Sequence, residues 1–254
     1  MKNEIISFIQ QVFKKTDAKK AVIGVSGGID SAVVLTLLTE ALTCDQIIPT
    51  LMPFAKQDMT DAVEICSWNG FSKEQIIQID IEPIVRVVVN TLGNDLDQFQ
   101  KGNVMARSRM MILFNSAKKH QGLVVGTENK SENLLGYFTR FGDSASDLEP
   151  IAHLYKTQVK QLAQELGLSS NYLNKPPSAG LWQDQTDEQE FGFSYTQADQ
   201  ILAKLEKQSI QENRKLIELV EEQLKQAELG SVSRQVLQRV KQNWFKQEVP
   251  YKIH

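Results

Sequence analysis

The stretch Gly24-Val25-Ser26-Gly27-Gly28-Ile29-Asp30-Ser31 constrains this chain more than any other. It follows the short apolar run Ala21–Val25 and leads into the apolar, helix-forming run Ala32–Leu42, so it reads as strand, tight turn, helix. Gly27 and Gly28 let the backbone turn so that successive N–H groups face one concavity. The helix behind them adds unpaired N–H groups and the positive end of its dipole. Ser26 and Ser31 contribute hydroxyls. The sum suits a pyrophosphate, and Asp30 suits a magnesium ion bridging it, because magnesium favours one or two carboxylates together with phosphate oxygens and water. The GK[ST] ending of one common phosphate loop and the GxGxxG order of the dinucleotide fingerprint are both missing.

The pattern of strand followed by helix continues. Gln46–Met52 reads as a second strand, Asp58–Trp68 as a helix, Gln75–Asp80 as a third strand and Pro83–Leu92 as a helix. Asn103–His120 is a longer helical stretch, and Gly122–Gly126 is a fourth strand, short and apolar as a buried parallel strand should be. Strands separated by helices predict parallel βαβ units: an α/β fold with a doubly wound, mainly parallel sheet and helices on both faces. Residues 127–150 read as a polar loop at the C-terminal end of the fourth strand, where such folds bind ligands. Thr157–Leu166 reads as a helix and Lys175–Gln189 as a second loop. The two loops are candidate lids. The tail is helical and polar over roughly 197–207, 210–229 and 231–246, the pattern of an exposed helical cap. With no flexible linker, residues 1–254 read as a single domain.

Composition excludes other classes. A net charge of −3 disfavours a nucleic-acid footprint, which needs a basic stripe. No apolar run approaches the roughly 20 residues of a spanning helix, and residues 1–15 read as an amphipathic helix, not a signal peptide. Cys44 and Cys66 form no CxxC, and His120, His153 and His254 have no metal-ligand spacing. A protein of the cytoplasm, without a membrane partner, is the expectation.

SGGIDS resembles the pyrophosphate loop of the ATP pyrophosphatases, which cleave ATP between the α- and β-phosphates. Further segments resemble one branch of that group, the NAD synthetases. They are Gly102–Met110 (GNVMARSRM), Gly126–Glu132 (GTENKSE), Leu135–Asp143 (LGYFTRFGD), Asp147–Pro150 with Leu154–Val159 (LYKTQV), and Pro177–Trp182 with Gln185–Glu188. They run in order from about Val22 to Tyr195.

The resemblance implies a Rossmann-like fold and ATP-dependent amidation of deamido-NAD by ammonia, through adenylation of the nicotinate carboxylate and displacement of AMP. It implies that Gly24, Val25, Ser26, Gly27, Gly28, Ile29, Asp30, Ser31, Thr127, Lys156 and Ser178 bind ATP. Asp30 and Glu132 would hold magnesium. Arg107, Arg140, Asp147, Phe245 and Lys246 would bind deamido-NAD. Asp30, Asp143 and Lys156 are the catalytic candidates, with Asp143 or Asp147 taking the proton from ammonium. The family also implies a homodimer, for which the Met110–Phe114 face is one candidate surface and the core another use. The chain is too short to include an amidase domain, so free ammonia is the expected donor.

The residues themselves temper some roles. Arg107 and Arg109 are two apart on a helix and face roughly opposite sides, so at most one meets the ligand. A lysine at the start of a helix opposes the dipole, which favours a ligand role for Lys156 over a solvated one. Members of the family commonly have lysine where Arg140 stands, glycine where Ser144 stands, and His-Lys-Arg where Phe245-Lys246-Gln247 stand. These departures surround the acyl substrate and leave nicotinate mononucleotide as an alternative acceptor. A tRNA-modifying enzyme and a non-catalytic adenine-nucleotide module are the other readings. The charge and isolated cysteines disfavour the first, and the carboxylates Asp30 and Glu132 disfavour the second.

Overall fold

The helix that follows the glycine pair has no polar face. From Ile29 to Leu38 every residue except Asp30 is buried. A helix of that kind needs cover all round, and the fold is arranged to give it. In the computed structural model, which describes residues 1–93, 95–182 and 184–247, α1 (Lys2–Thr16), α2 (Ile29–Ala41), α3 (Thr60–Trp68), α7 (Lys156–Glu165) and α8 (Ser170–Asn174) share one face of a sheet. On the other face lie α4 (Glu82–Leu92) and α5 (Gln98–Lys119).

The sheet comprises β1 (Lys20–Gly24), β2 (Ile47–Leu51), β3 (Ile77–Gln78) and β4 (Gly122–Val125). It is wholly parallel, in the order β3-β2-β1-β4. Ala21 sits between Ile47 and Leu123, and Val22 between Ile48 and Val124. Ala21 and Ile23 join the core beneath α2, whereas Val22 packs on Ala117 of α5, the alternation that a strand imposes. The chain runs outward through β2 and β3 and then crosses to β4 on the far side of β1. The order reverses there, and a crevice opens at the carboxyl ends of β1 and β4.

The expected α/β sheet is present, with shifted boundaries. α2 begins at Ile29, directly behind the glycines and three residues before the expected apolar run. β3 pairs over two residues only, since a 3-10 turn at Lys73–Gln75 uses up the start of the predicted strand. α5 begins five residues early because Asp97 and Gln100 form a capping box, with Gln100 N donating to Asp97 Oδ1 at 2.8 Å. The 127–150 stretch holds a helix, α6 (Lys130–Leu135), capped by Asn129, and the 175–189 stretch ends in α9 (Asp187–Phe191).

The tail is not a mere cap. α10 (Tyr195–Glu212), α11 (Leu216–Leu224) and α12 (Ser231–Asn243), followed by a 3-10 turn at Trp244–Lys246, enclose a second core of Leu202, Leu205, Leu219, Val220, Val236, Leu237 and Val240. Each fully buried leucine or valine contributes about 1.5–3 kcal/mol. Asn213, in the left-handed region at φ 50°, divides α10 from α11 where the sequence suggested a break near 207. This second core extends to Leu135 of α6 and to Tyr155 at the head of α7, which ties the tail to the crevice.

Candidate active site

A cavity of about 810 Å³ occupies the crevice. One wall is the β1–α2 turn. Gly27 has φ +78°, and a Cβ there would stand 3.0 Å from Ala62 N and 3.1 Å from Asp61 Cβ, so no side chain fits. Ser31 Oγ donates to Gly28 O at 3.0 Å and lies 3.2 Å from Ser26 Oγ, while Gly28 N donates to Ser26 Oγ at 3.3 Å. The two serines thus brace the turn as well as lining the cavity. Gly27 is turned away from it, and its carbonyl accepts from Lys175 Nζ at 3.2 Å.

An ion triad joins this wall, through Asp30, to the side opposite. Lys156 Nζ lies 2.5 Å from Asp30 Oδ2 and 2.9 Å from Glu132 Oε1, with the lysine side chain 4% exposed. Burial works against the ammonium, but the two carboxylates outweigh it and hold the lysine well above its ordinary range. One cation cannot neutralise two buried anions. Burial accordingly pushes Glu132 up to about 7, against the pull of Lys156 and with the help of Asp30. Asn129 ties the Asp30 carboxylate to the head of α6: its Nδ2 donates to Asp30 Oδ1 at 2.9 Å, and its Oδ1 accepts from the backbone N of Glu132 at 3.0 Å.

The tail holds this triad in place. Asp199 of α10 accepts from Thr157 N at 2.9 Å and from Thr157 Oγ1 at 2.8 Å, and it also accepts from Ser131 Oγ. Ser131 Oγ in turn accepts from Lys156 N at 2.8 Å. A carboxylate from another helix therefore serves the positive end of α7. Lys156, which opposes that end, is turned onto Asp30 and Glu132 instead.

Further walls come from 136–145, from residues 175–182 with Gln185 and Asp187, and from the end of α12 with Lys246. Asp143 faces the cavity, and its Oδ1 accepts from Thr139 N at 3.0 Å. Surrounding protein raises its pKa, although the carboxylate is open to the cavity. Lys246 donates to Gly136 O at 2.6 Å and Phe138 O at 2.9 Å. Behind it lies a second hollow of about 320 Å³, which shares Phe138, Ala145 and Lys246 with the first. Glu128 and Glu149 line it, and burial lifts them to about 8 and about 7.

The structure brings Gly24, Val25, Ser26, Gly28, Ile29, Asp30, Ser31, Thr127, Glu132, Asp143, Lys156, Ser178 and Lys246 to the main cavity. It does not bring Arg107, Arg140, Asp147 or Phe245 there. Of the two arginines, Arg109 lines the cavity, while Arg107 points outward and donates to Arg140 O at 3.3 Å. Asp147 Oδ2 accepts from Val124 N at 2.7 Å, which makes it an extension of the β4 edge. Arg140 borders the second hollow, and its guanidinium lies 5.3 Å from the ring centre of Phe245. Two departures from the family pattern, distant in sequence, are thus one contact. Ser144 needs no positive φ: Phe141 takes it, at 61°, and Ser144 Oγ closes the turn on Thr139 O at 3.1 Å. In α5, Ile112, Leu113 and Phe114 pack inward and only Met111 of that stretch is exposed. Sequence reasoning missed Gln57, Asn129, Asp187 and Arg239. Asn129 alone carried a local signal, as an N-cap three residues before a glutamate.

Among the described residues no three metal-type side chains converge. The donor set nevertheless fits magnesium, since two carboxylate oxygens reach a single cation position that now holds the Lys156 ammonium. Among the described residues no helix is long and apolar enough to cross a membrane.

A family model described as NAD synthase matches residues 1–250. An NH(3)-dependent NAD(+) synthetase of Trichlorobacter lovleyi is 38% identical over 246 residues, which cover 97% of this chain and 87% of that one. Among solved structures, an NMN synthetase from Francisella tularensis superposes with TM-score 0.81 at 27% identity, covering 100% of this chain and 97% of the other. An NH3-dependent NAD synthetase from Campylobacter jejuni superposes with TM-score 0.78 at 30% identity, with coverage of 100% and 97%.

Proposed function

This chain belongs to the NAD synthase family, and we propose that it amidates the nicotinate carboxylate of deamido-NAD with ammonia, consuming ATP and releasing AMP and pyrophosphate. The observation that carries this reading is the meeting of the glycine turn with Lys156, Asp30 and Glu132 across one cavity. ATP bound there sets its phosphates against the turn. The loop N–H groups and the Lys156 ammonium take up charge on the departing pyrophosphate while the nicotinate oxygen attacks the α-phosphate. When bound, magnesium would be held by Asp30 and Glu132 and would neutralise further phosphate charge. Asp143, open to the cavity and raised by burial, is the group suited to take a proton from ammonium. Ammonia then attacks the acyl-adenylate, from which the loops 136–149 and 175–182 exclude water.

A homodimer in the cytoplasm accords with the family. Phe99, Met111, Phe141 and Phe245 leave apolar surface free for a second copy. Mononucleotide as acceptor is not favoured by the curated relative, although that activity is in the name of the Francisella protein.

The deciding assay supplies ATP, magnesium and ammonium with deamido-NAD or nicotinate mononucleotide in parallel. Equal amounts of NAD, AMP and pyrophosphate from deamido-NAD are expected, and turnover of the mononucleotide alone would move the substrate. Asp143→Asn should slow the ammonia-dependent step at least about tenfold more than adenylation, as read from pyrophosphate release against NAD formation. Equal losses would remove Asp143 as the proton acceptor.

A further inference from the structure

Magnesium cannot take the two carboxylates while Lys156 sits between them, 2.5 Å from Asp30 Oδ2 and 2.9 Å from Glu132 Oε1. Those carboxylates hold the lysine well above its ordinary range, so it leaves as a cation. A displaced ammonium in so buried a setting needs a second anion, because an uncompensated buried charge is strongly destabilising.

The cavity wall holds an acceptor with nothing to accept. Asp187, the first residue of α9, is 2% exposed and lines the cavity. Its Oδ2 accepts from Tyr195 Oη at 2.9 Å, and its backbone N donates to Pro177 O at 2.9 Å. Its Oδ1 has no donor, and among the described residues no other buried carboxylate oxygen is left so. The donors nearby are committed elsewhere: Tyr137 Oη donates to Glu190 Oε1 at 3.0 Å, and Gln185 Nε2 donates to the same oxygen at 2.7 Å. A buried acceptor without a partner is destabilising. Its retention in a cavity wall points to a partner that arrives.

Lys156 is placed to be that partner. Its Nζ lies 5.2 Å from the ring centre of Tyr195, the residue whose hydroxyl ends on Asp187. A ring face at that distance attracts an ammonium. Burial raises the Asp187 carboxyl, and the first group that opposes it is Lys156, so the two charges already act on each other. The flexible four-carbon stem lets Nζ swing without moving α7.

We propose that Asp187 is a positioning residue that receives the Lys156 ammonium when magnesium takes Asp30 and Glu132. Its free Oδ1 keeps the lysine inside the cavity, where it stays available to the phosphates. The proposal rests on the reading of Asp30 and Glu132 as the magnesium carboxylates.

Titration calorimetry of the full chain with magnesium chloride alone tests it. Asp187→Asn, which keeps an acceptor for Tyr195, should weaken magnesium binding at least about tenfold. Lys156→Met should tighten it, since no ammonium has to move. In the Lys156→Met background, Asp187→Asn should change the affinity less than about threefold. If Asp187 only attracts the metal through space, the factor is the same in both backgrounds, and that result overturns the proposal. A structure of the unaltered chain with magnesium bound carries the test if the lysine variant does not fold. Nζ at hydrogen-bond distance from Asp187 Oδ1 is expected, and Nζ turned to solvent or still between Asp30 and Glu132 overturns the proposal. Asp30→Asn separates the two readings. Magnesium affinity unchanged by it removes the carboxylate site and the proposal together. Affinity lost with it, but equal factors for Asp187→Asn in both backgrounds, removes the proposal alone.

Discussion

The two walls of the cavity are built on different principles. The β1–α2 wall is eight consecutive residues, shaped by two glycines and driven into place by a helix that is apolar on every side. The opposite wall is gathered from 129–143, Lys156, residues 178–182 with Gln185 and Asp187, and α12, and side-chain hydrogen bonds through Asn129, Ser131 and Asp199 hold it together. A wall made from neighbours in sequence tolerates loss of distant partners. A wall made from distant partners exists only while the helical tail stays docked. The lesson is that the polar tail belongs to the site as much as the glycine turn does.

The largest effect that would test this contrast comes from Lys156→Met, which leaves Asp30 and Glu132 facing each other with no cation between them. Breaking a buried ion cluster in this way costs about 3–5 kcal/mol, and activity should fall by a factor on the order of 10²–10³. Urea unfolding and AMP release would measure the two. An unaltered unfolding midpoint would show that the triad carries no structural load.

Next comes Gly27→Ala on the local wall. The positive φ and the Ala62 contact cost about 1–3 kcal/mol. Because the strain sits in the turn itself, ATP affinity should fall with it, while the far wall and the tail keep their hydrogen-exchange protection. Asp199→Ala makes the reverse test and removes the acceptor for Thr157 and Ser131. A loss of about 1–3 kcal/mol is expected, with exchange at α7 and α10 rising together and the turn unaffected. If the two variants loosened the same amides, the distinction between local and assembled walls would fail.

The smallest effect is that of Glu128→Gln. Both Glu128 and Glu149 have folded values, about 8 and about 7, above the 4.5 of a free glutamate. A carboxyl raised by folding binds its proton more tightly in the native state. Its contribution to stability is therefore full below about pH 4.5 and is lost as pH rises through 7 to 8. The variant should melt with the unaltered protein near pH 5 and a few degrees above it at about pH 9. Parallel melting curves at both ends would mean that the hollow is well solvated.

Much of this was legible in the sequence because it is local. The strand–turn–helix unit, the parallel sheet and the positions of Asp30, Thr127, Glu132 and Lys156 near its carboxyl ends follow from periodicity, glycine placement and the resemblance. What failed was whatever depended on direction. The sequence reading placed Arg107 and Asp147 at the substrate, whereas Arg109 and Asp143 line the cavity, because helix phase and loop path are set by packing. The pairing of Arg140 with Phe245 was invisible for the same reason.

The sequence by itself determined that a buried strand must turn at Gly27–Gly28 into a helix needing cover on all sides, since φ preference and apolar period act over a few residues. Only the tertiary structure decided that Asp199 would serve the head of α7 and that Lys156 would pass between two carboxylates. It also decided that a polar tail would acquire a core of its own. Those outcomes depend on burial and on close approach of groups up to 126 residues apart, and the free energy of a buried charge is set by what surrounds it in space, not by its neighbours along the chain.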